Sequence, residues 1–118
     1  MIPSGAQIFV CIDPVDMRLG FERLAGLVGE RTGYAARGGA LFVFVGRRRE
    51  TVKILYFDGT GICLFHKRLD RGTFALPEVM TPGATHVEVD DATFEALLDG
   101  IAIGPTATPE KRARKKLH

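Results

Sequence analysis

Three aspartates stand near predicted strand ends, where carboxylates could bind the divalent ions that metal-dependent nucleases and transposases use. They are Asp13, Asp16 and Asp58. Asp13 and Asp16 each precede a candidate helix start and can cap that helix. Asp58 is followed by Gly59, a pair typical of a tight hairpin turn. Because each carboxylate has a local structural role, we predict no metal centre.

The other residue types that could catalyse a reaction are few and poorly spaced. Cys63 and His66 are three residues apart on a predicted strand, which turns their side chains to opposite faces. Cys11 lies in an apolar run and is interpreted as a small core residue. Ser4, the only serine, lies near the terminus, and no glycine-rich phosphate loop follows a strand. We predict that the chain is not an enzyme and binds no cofactor.

Basic side chains are the strongest chemical signal in the sequence. Three consecutive arginines lie between two predicted strands, and further cations lie on the next strand and at the end of the one after it. In an antiparallel meander the two basic turns should lie side by side, which predicts a phosphate-binding surface. The alternative is a solvated rim that protects the sheet edge. The candidate nucleic-acid-binding residues are Arg47, Arg48, Arg49, Lys53, Lys67, Arg68 and Arg71.

A different nucleic-acid hypothesis uses the aromatic residues. The segment GGALFVFV, residues 38–45, loosely resembles the strand on which RNA-recognition domains stack bases. The order of elements differs from that fold, however, because here the third strand is entered without a helix. We therefore interpret as core residues Phe42, Phe44, Tyr56, Phe57 and Phe65.

The elements that position these residues begin with an apolar strand at residues 7–12. A helix should follow, capped by Asp13 with Pro14 at its first position, or by Asp16 if it begins later. It should end near Gly33. Its apolar stripe consists of Met17, Phe21, Leu24, Leu27 and Val28.

Three apolar runs come next, at residues 41–45, 51–57 and 62–65, and residues 73–76 are a candidate extension. Residues 86–89 should pair at a sheet edge, and Asp90 should cap a second helix that stops at Gly100. The predicted fold class is α+β, an antiparallel meander sheet packed with two helices. We expect residues 1–103 to form a single α+β domain and residues 104–118 to form a flexible basic C-terminal tail.

Central strands that are apolar on both faces need cover on both sides, which two modest helices do not fully provide. The open part would face a partner protein or a second copy, giving a homo-oligomer through the sheet. Residues 36–72 carry eight basic and three acidic side chains, whereas residues 73–109 carry six acidic and no basic ones. One positive and one negative surface are therefore predicted.

Composition sets the broad class of the protein. The chain of 118 residues is 46% hydrophobic and 25% charged, which is typical of one globular domain. No apolar run reaches the roughly 20 residues of a membrane span, so no membrane association is expected. The N-terminal residues lack the basic region of a signal peptide, and two cysteines fit a reducing compartment. We expect a cytoplasmic protein, bacterial in style.

An ordered series of short motifs runs through the chain. These are DMR at residues 16–18 with Gly20-Phe21, LFVF at 41–44, GRR at 46–48, KIL at 53–55, an aromatic pair with Asp58-Gly59, Leu64, KRL at 67–69, Arg71-Gly72, Phe74 and LLDGI at 97–101. Together they resemble the small accessory protein, often labelled TnpB, encoded by the second reading frame of insertion-sequence-66 transposons. The resemblance covers about residues 2–103. The chain departs from the family at Tyr56-Phe57, where two tryptophans are usual, and at Leu19, where a basic residue is common.

The resemblance implies a protein that is needed for DNA transposition and works with the larger transposase of the same element. It implies no catalytic centre. Two hypotheses remain at this point. The chain is an accessory protein that binds DNA, the transposase or both, or it is a protein-interaction module without DNA affinity. The two differ in salt dependence, because binding to phosphates weakens as salt rises.

Overall fold

The computed structural model describes residues 5–79 and 81–100. The strands are β1 (Ile8–Cys11), β2 (Leu41–Val45), β3 (Thr51–Phe57), β4 (Ile62–Arg68) and β5 (His86–Val89), and the helices are α1 (Phe21–Thr32) and α2 (Asp91–Leu98). The predicted α+β class is confirmed. The predicted boundary at residue 103 and the predicted tail, residues 104–118, lie outside the described residues.

The five strands form one mixed sheet in the order β4-β3-β2-β1-β5. Strands β2, β3 and β4 are antiparallel neighbours in chain order, as predicted. β1 pairs parallel to β2, because α1 carries the chain back before β2 begins. β5 pairs with the other side of β1 and forms the far edge. The antiparallel meander thus describes three of the five strands, and the predicted edge position of residues 86–89 is confirmed.

The start of α1 differs from both sequence-based expectations. Its N-cap is Gly20, which makes no side-chain capping bond, so neither Asp13 nor Asp16 caps the helix. Residues 12–20, the β1–α1 loop, instead continue along the sheet, where the Val15 N–H donates to the Val45 carbonyl at 3.0 Å. The helix ends at Thr32 with Gly33 in the left-handed conformation, as predicted.

Both faces of the sheet are covered over its central strands. Leu24 and Val28 of α1 pack on one face against Phe42 and Phe44, among others. On the other face, α2 contributes Phe94 and Leu97, which join a second cluster with Ile54, Tyr56 and Phe74. Val10, Val43 and Ile54 are completely buried. The two helices therefore cover more of the sheet than the sequence suggested, and exposure is concentrated on β4.

Of the five aromatic residues predicted to lie in the core, three are buried, one is half-buried and one is exposed. Phe42, Phe44 and Tyr56 are buried and Phe57 is half-buried, whereas Phe65 on β4 is exposed. Phe21, expected in the apolar stripe of α1, is also exposed. Residues 73–76 do not form a strand. Phe74 is buried, and its N–H donates to the Arg49 carbonyl at 2.5 Å.

Candidate nucleic-acid interface

The triple-arginine segment is held in a fixed turn between β2 and β3. The Arg49 N–H donates to the Gly46 carbonyl at 2.9 Å, and the Gly46 N–H donates to the Thr51 carbonyl at 3.0 Å. Arg49 itself adopts a positive φ of 59°, which is uncommon for a residue with a side chain. All three arginine side chains are exposed. The backbone of the turn is therefore ordered while its guanidinium groups stand in solvent.

A second basic segment lies directly beside this turn. The Leu69 N–H donates to the Glu50 carbonyl at 2.9 Å, so the end of β4 is hydrogen-bonded to the turn. The Phe74 N–H then closes the following loop on Arg49. The two basic turns are side by side, as the meander predicts.

We use the term basic rim for the five exposed arginines that these two turns carry. They are Arg47, Arg48, Arg49, Arg68 and Arg71. Among the described residues, no carboxylate forms an ion pair with any of them. The rim therefore presents five positive charges that are free to contact an external anion.

Lys53 does not belong to this surface, although the sequence places it close by. It is only 7% exposed, and its ammonium donates to the Leu19 carbonyl at 2.8 Å. Lys53 pairs with Phe44 in the sheet and lies on the face covered by α1. Its role is to hold the β1–α1 loop against the sheet.

The side chain of Lys67 also makes a hydrogen bond within the fold. Its side chain is half-buried on the face covered by α2, and its ammonium donates to the Leu98 carbonyl at 2.6 Å. A cation at this position satisfies a free carbonyl and interacts favourably with the negative end of the helix dipole. Of the seven predicted residues, five thus share one surface and two lysines stabilise opposite faces of the sheet.

The β1–α1 loop forms a cleft with the triple-arginine turn. The cleft has a volume of about 400 Å³ and is lined by Val15, Asp16, Met17, Gly46, Arg47, Arg48, Glu50 and Thr51. Glycine fits at position 46 on its floor, because a Cβ there would lie 2.8 Å from the Met17 Cγ and the methionine side chain would have to move. The cleft thus joins one side of the basic rim to the DMR segment.

Asp16 is held by its own neighbour rather than by a helix. Arg18 donates to it from the backbone N–H, Nε and Nη2, with the shortest contact at 2.6 Å. These hydrogen bonds, with a smaller contribution from the charge of Arg47, lower the pKa of Asp16 to about 2. The sequence analysis missed this pair, although the spacing of two residues is typical of an aspartate-centred turn.

Asp58 has the turn role that the sequence predicts. Its Oδ1 accepts hydrogen bonds from the Thr60 N–H, the Thr60 hydroxyl and the Gly61 N–H, each at 2.9 Å. These bonds lower the pKa of Asp58 to about 2. Gly59 follows with a φ of 99°. The carboxylate is engaged in shaping the hairpin.

The residues considered for catalysis in the sequence do not come together in residues 5–79 and 81–100. Within this part of the chain, no three His, Cys, Asp or Glu side chains come together as a metal site would require. Cys63 packs beside the α2 cluster while His66 is exposed opposite Lys53, so the two side chains are on different faces. Burial raises the pKa of Cys11 to about 12, which makes its thiol a poor nucleophile.

One aromatic group was not foreseen from the sequence. Phe9 stacks on Tyr34 with ring centroids 4.6 Å apart, and His86 meets the edge of Phe9 at 5.6 Å. These residues are distant in sequence and become neighbours only when β1, β5 and the end of α1 assemble. No local pattern could have indicated them.

Comparison with known proteins identifies the family. A family model described as IS66 Orf2-like protein matches residues 6–108. The chain belongs to the IS66 Orf2-like family. Membership implies an accessory role associated with transposition.

Two relatives from Sinorhizobium fredii (strain NBRC 101917 / NGR234) are similar over most of their length. The uncharacterized protein y4hO is 41% identical over 103 residues, which cover 86% of this chain and 87% of the relative. The uncharacterized protein y4jC is 35% identical over 97 residues, covering 82% and 80% respectively. No solved structure matches the chain.

Two motifs that carry the resemblance to IS66 Orf2-like proteins meet in the structure. Asp16 and Met17 of the DMR motif line the same cleft as Gly46, Arg47 and Arg48 of the GRR motif. The KIL motif supplies Lys53, which anchors the loop that carries DMR. The motifs thus assemble one end of the molecule. No helix among the described residues is both long enough and apolar enough to cross a membrane.

Proposed function

We propose that this IS66 Orf2-like protein binds DNA through the basic rim and acts together with the transposase of the same element. One observation carries the proposal. Five exposed arginines stand on two neighbouring turns that are hydrogen-bonded to each other. Guanidinium groups bind phosphate oxygens in a bidentate manner, and DNA presents one such charge about every 1.7 Å of helix axis.

The fixed backbone of the rim favours binding. A segment that is already ordered loses less conformational entropy in a complex than a flexible one does. The triple-arginine turn is ordered by hydrogen bonds that the N–H groups of Arg49, Gly46 and Phe74 donate to the carbonyls of Gly46, Thr51 and Arg49, respectively. Only the arginine side chains remain to be ordered by contact with phosphates.

The alternative, a solvated rim that protects a sheet edge, does not account for the triple-arginine turn. Edge protection requires charges along a strand that lacks a neighbour. The turn joins β2 and β3, which are both interior strands with neighbours on each side. Arg47, Arg48 and Arg49 therefore protect no edge, whereas their position suits contact with an extended anion beyond the end of the sheet.

The proposed role involves no catalysis by this chain. Asp16 and Asp58, the carboxylates best placed for it, are engaged by Arg18 and by the hairpin backbone. Strand cleavage and joining would then belong to the transposase. We propose that contact with the transposase uses apolar surface, and such contact should persist at salt concentrations that abolish phosphate binding.

The test is a fluorescence anisotropy titration of duplex DNA at about 0.1 M salt. Arg47→Ala with Arg48→Ala should weaken binding by at least about tenfold, because two phosphate contacts are lost. The matched control is Arg23→Ala with Arg37→Ala, which removes two exposed charges from α1 and from the 3₁₀ turn Ala36–Gly38. Equal affinities for the two double variants would contradict the proposed surface. Absence of binding by the unmodified protein would favour the protein-interaction module.

A further inference from the structure

Strand β4 is a long edge strand whose outer side has no neighbour among the described residues. It has seven residues and pairs with β3 along its whole length without a bulge. β3 occupies its inner side, and β4 is the last strand in that direction. The opposite edge, β5, has only four residues.

The hydrogen-bond pattern shows which backbone groups of β4 point outward. At the two ends of the β3–β4 ladder, Asp58 is hydrogen-bonded to Gly61 and Leu69 is hydrogen-bonded to Glu50. The backbone groups of Gly61 and Leu69 therefore point toward β3. Because bonding alternates along an antiparallel strand, the odd-numbered residues between them bond to β3. The outward N–H and C=O groups are those of Ile62, Leu64, His66 and Arg68.

The apolar side chains of β4 are only partly buried. Phe65 is 38% exposed, and Ile62, Cys63 and Leu64 are half-buried. Edge strands are commonly protected by lysine, proline or a bulge. Here the strand contains no proline and no bulge, and the ammonium of Lys67 turns away to the Leu98 carbonyl. The usual means of protection are therefore weak.

We propose that β4 pairs antiparallel with β4 of a second copy of this chain, about a two-fold axis at Phe65. In this register Ile62 faces Arg68 of the other copy and Leu64 faces its His66, so the outward backbone groups meet as hydrogen-bonded pairs. The two Phe65 residues face each other at a non-hydrogen-bonded position, where opposing side chains are closest.

Two features of the strand favour a second copy over another partner. This register overlaps all seven residues, and a shift by two shortens the overlap. It also places Lys67 and Arg68 opposite Cys63 and Ile62 of the other copy. The strand can thus pair with itself over its full length without bringing like charges directly opposite each other.

The dimer would join two five-stranded sheets into one continuous sheet. Each basic rim lies at the end of β4 that carries Arg68, so the two rims would lie at opposite ends of the paired strands. Seven residues of strand span about 24 Å at ~3.4 Å per residue. The pairing includes Arg68 of the basic rim but no arginine of the triple-arginine turn, so the dimer can be tested without DNA.

The test combines sedimentation with a site-specific disulfide. The unmodified full chain should sediment at twice the chain mass at micromolar concentration. In a Cys63→Ser background, Phe65→Cys should form a covalent dimer under mild oxidation, because facing non-hydrogen-bonded residues have Cα atoms about 4.5 Å apart. The matched control is Thr60→Cys in the same background, at the exposed tip of the β3–β4 hairpin. It should remain largely uncrosslinked.

A second variant separates pairing from folding. His66→Pro removes an outward N–H that β3 does not use, so circular dichroism should be unchanged while the protein sediments as a monomer. A monomeric unmodified protein at all concentrations would overturn the proposal. Equal crosslinking of Phe65→Cys and Thr60→Cys, or an undiminished dimer in His66→Pro, would also overturn it.

Discussion

At the scale of single residues, two turn positions adopt a positive φ. One is occupied by glycine, which tolerates this conformation, and the other by arginine, which does not favour it. Gly59 adopts a φ of 99° where glycine is favoured, whereas Arg49 adopts 59° despite its Cβ. A left-handed conformation costs a residue with a side chain about 1–2 kcal/mol. The presence of arginine at such a position fits a role for its charge.

Arg49→Gly and Gly59→Val should therefore change stability in opposite directions. Arg49→Gly should be neutral or stabilise the protein by up to about 1 kcal/mol, since relief of strain is partly offset by the entropy of glycine in the unfolded chain. Gly59→Val should destabilise it by more than about 1 kcal/mol, although a Cβ there has open space around it. Urea unfolding measures both. The reverse order would contradict the turn geometry.

Asp58 should contribute to the acid sensitivity of the fold. Its folded pKa of about 2 lies below its ordinary value of 3.8 because of the hairpin hydrogen bonds. A depressed pKa contributes stability that is present above about pH 4 and is lost as pH falls toward 2. Asp58→Asn keeps an acceptor oxygen, so it should cost little at neutral pH and make the stability profile between pH 4 and pH 2 shallower. An unchanged profile in this range would contradict the assignment.

At the scale of elements, the two lysines predicted to bind DNA instead connect separate parts of the fold. Lys53 reaches the Leu19 carbonyl of the β1–α1 loop, and Lys67 reaches the end of α2. Both contacts join parts of the chain that are more than thirty residues apart. Each lysine has a long apolar stem, which allows burial of the stem while the ammonium reaches a carbonyl.

Substitution of Lys53 distinguishes this role from DNA contact. Lys53→Ala should lower the free energy of unfolding by about 2 kcal/mol, since buried methylene groups are lost and a cavity remains. Lys53→Met keeps most of that volume but loses the hydrogen bond to the Leu19 carbonyl, so it should cost about 1 kcal/mol. Both stabilities are measured by urea unfolding. Affinity for duplex DNA should stay unchanged in Lys53→Met, and a clear loss of affinity would return this residue to the interface.

Features that depend on interactions between residues close in sequence could be predicted, whereas features that depend on contacts between distant segments could not. Asp58-Gly59, Gly33 and Asp90 are local signals, and each has its predicted role in the structure. The position of the β1–α1 loop depends on pairing of Val15 with Gly46, so Asp13 and Asp16 lost their predicted capping role. The parallel pairing of β1 with β2 is likewise non-local. The basic rim was predictable because an antiparallel meander fixes which turns are neighbours.

At the scale of the whole molecule, charge is separated along the fold. The basic rim occupies the end of the sheet formed by the β2–β3 turn and the end of β4. Exposed acidic residues lie on β5 and α2, namely Glu88, Asp91 and Glu95. The last turn of α2 nevertheless reaches β4 beside the rim, because the Lys67 ammonium donates to the Leu98 carbonyl. The field that would attract a polyanion therefore comes from the rim itself rather than from one whole face of the molecule.

The salt dependence of DNA binding tests the central claim, that the fixed arginine turn contacts phosphates. Each lost phosphate contact lowers the slope of log affinity against log salt by about 0.9. For Arg47→Ala, Arg48→Ala and Arg49→Ala combined, the slope measured by fluorescence titration of duplex DNA should fall by about two to three. Stability should hardly change, because these charges are exposed. Equal slopes for the triple variant and the unmodified protein, or no binding by the unmodified protein at low salt, would contradict the claim.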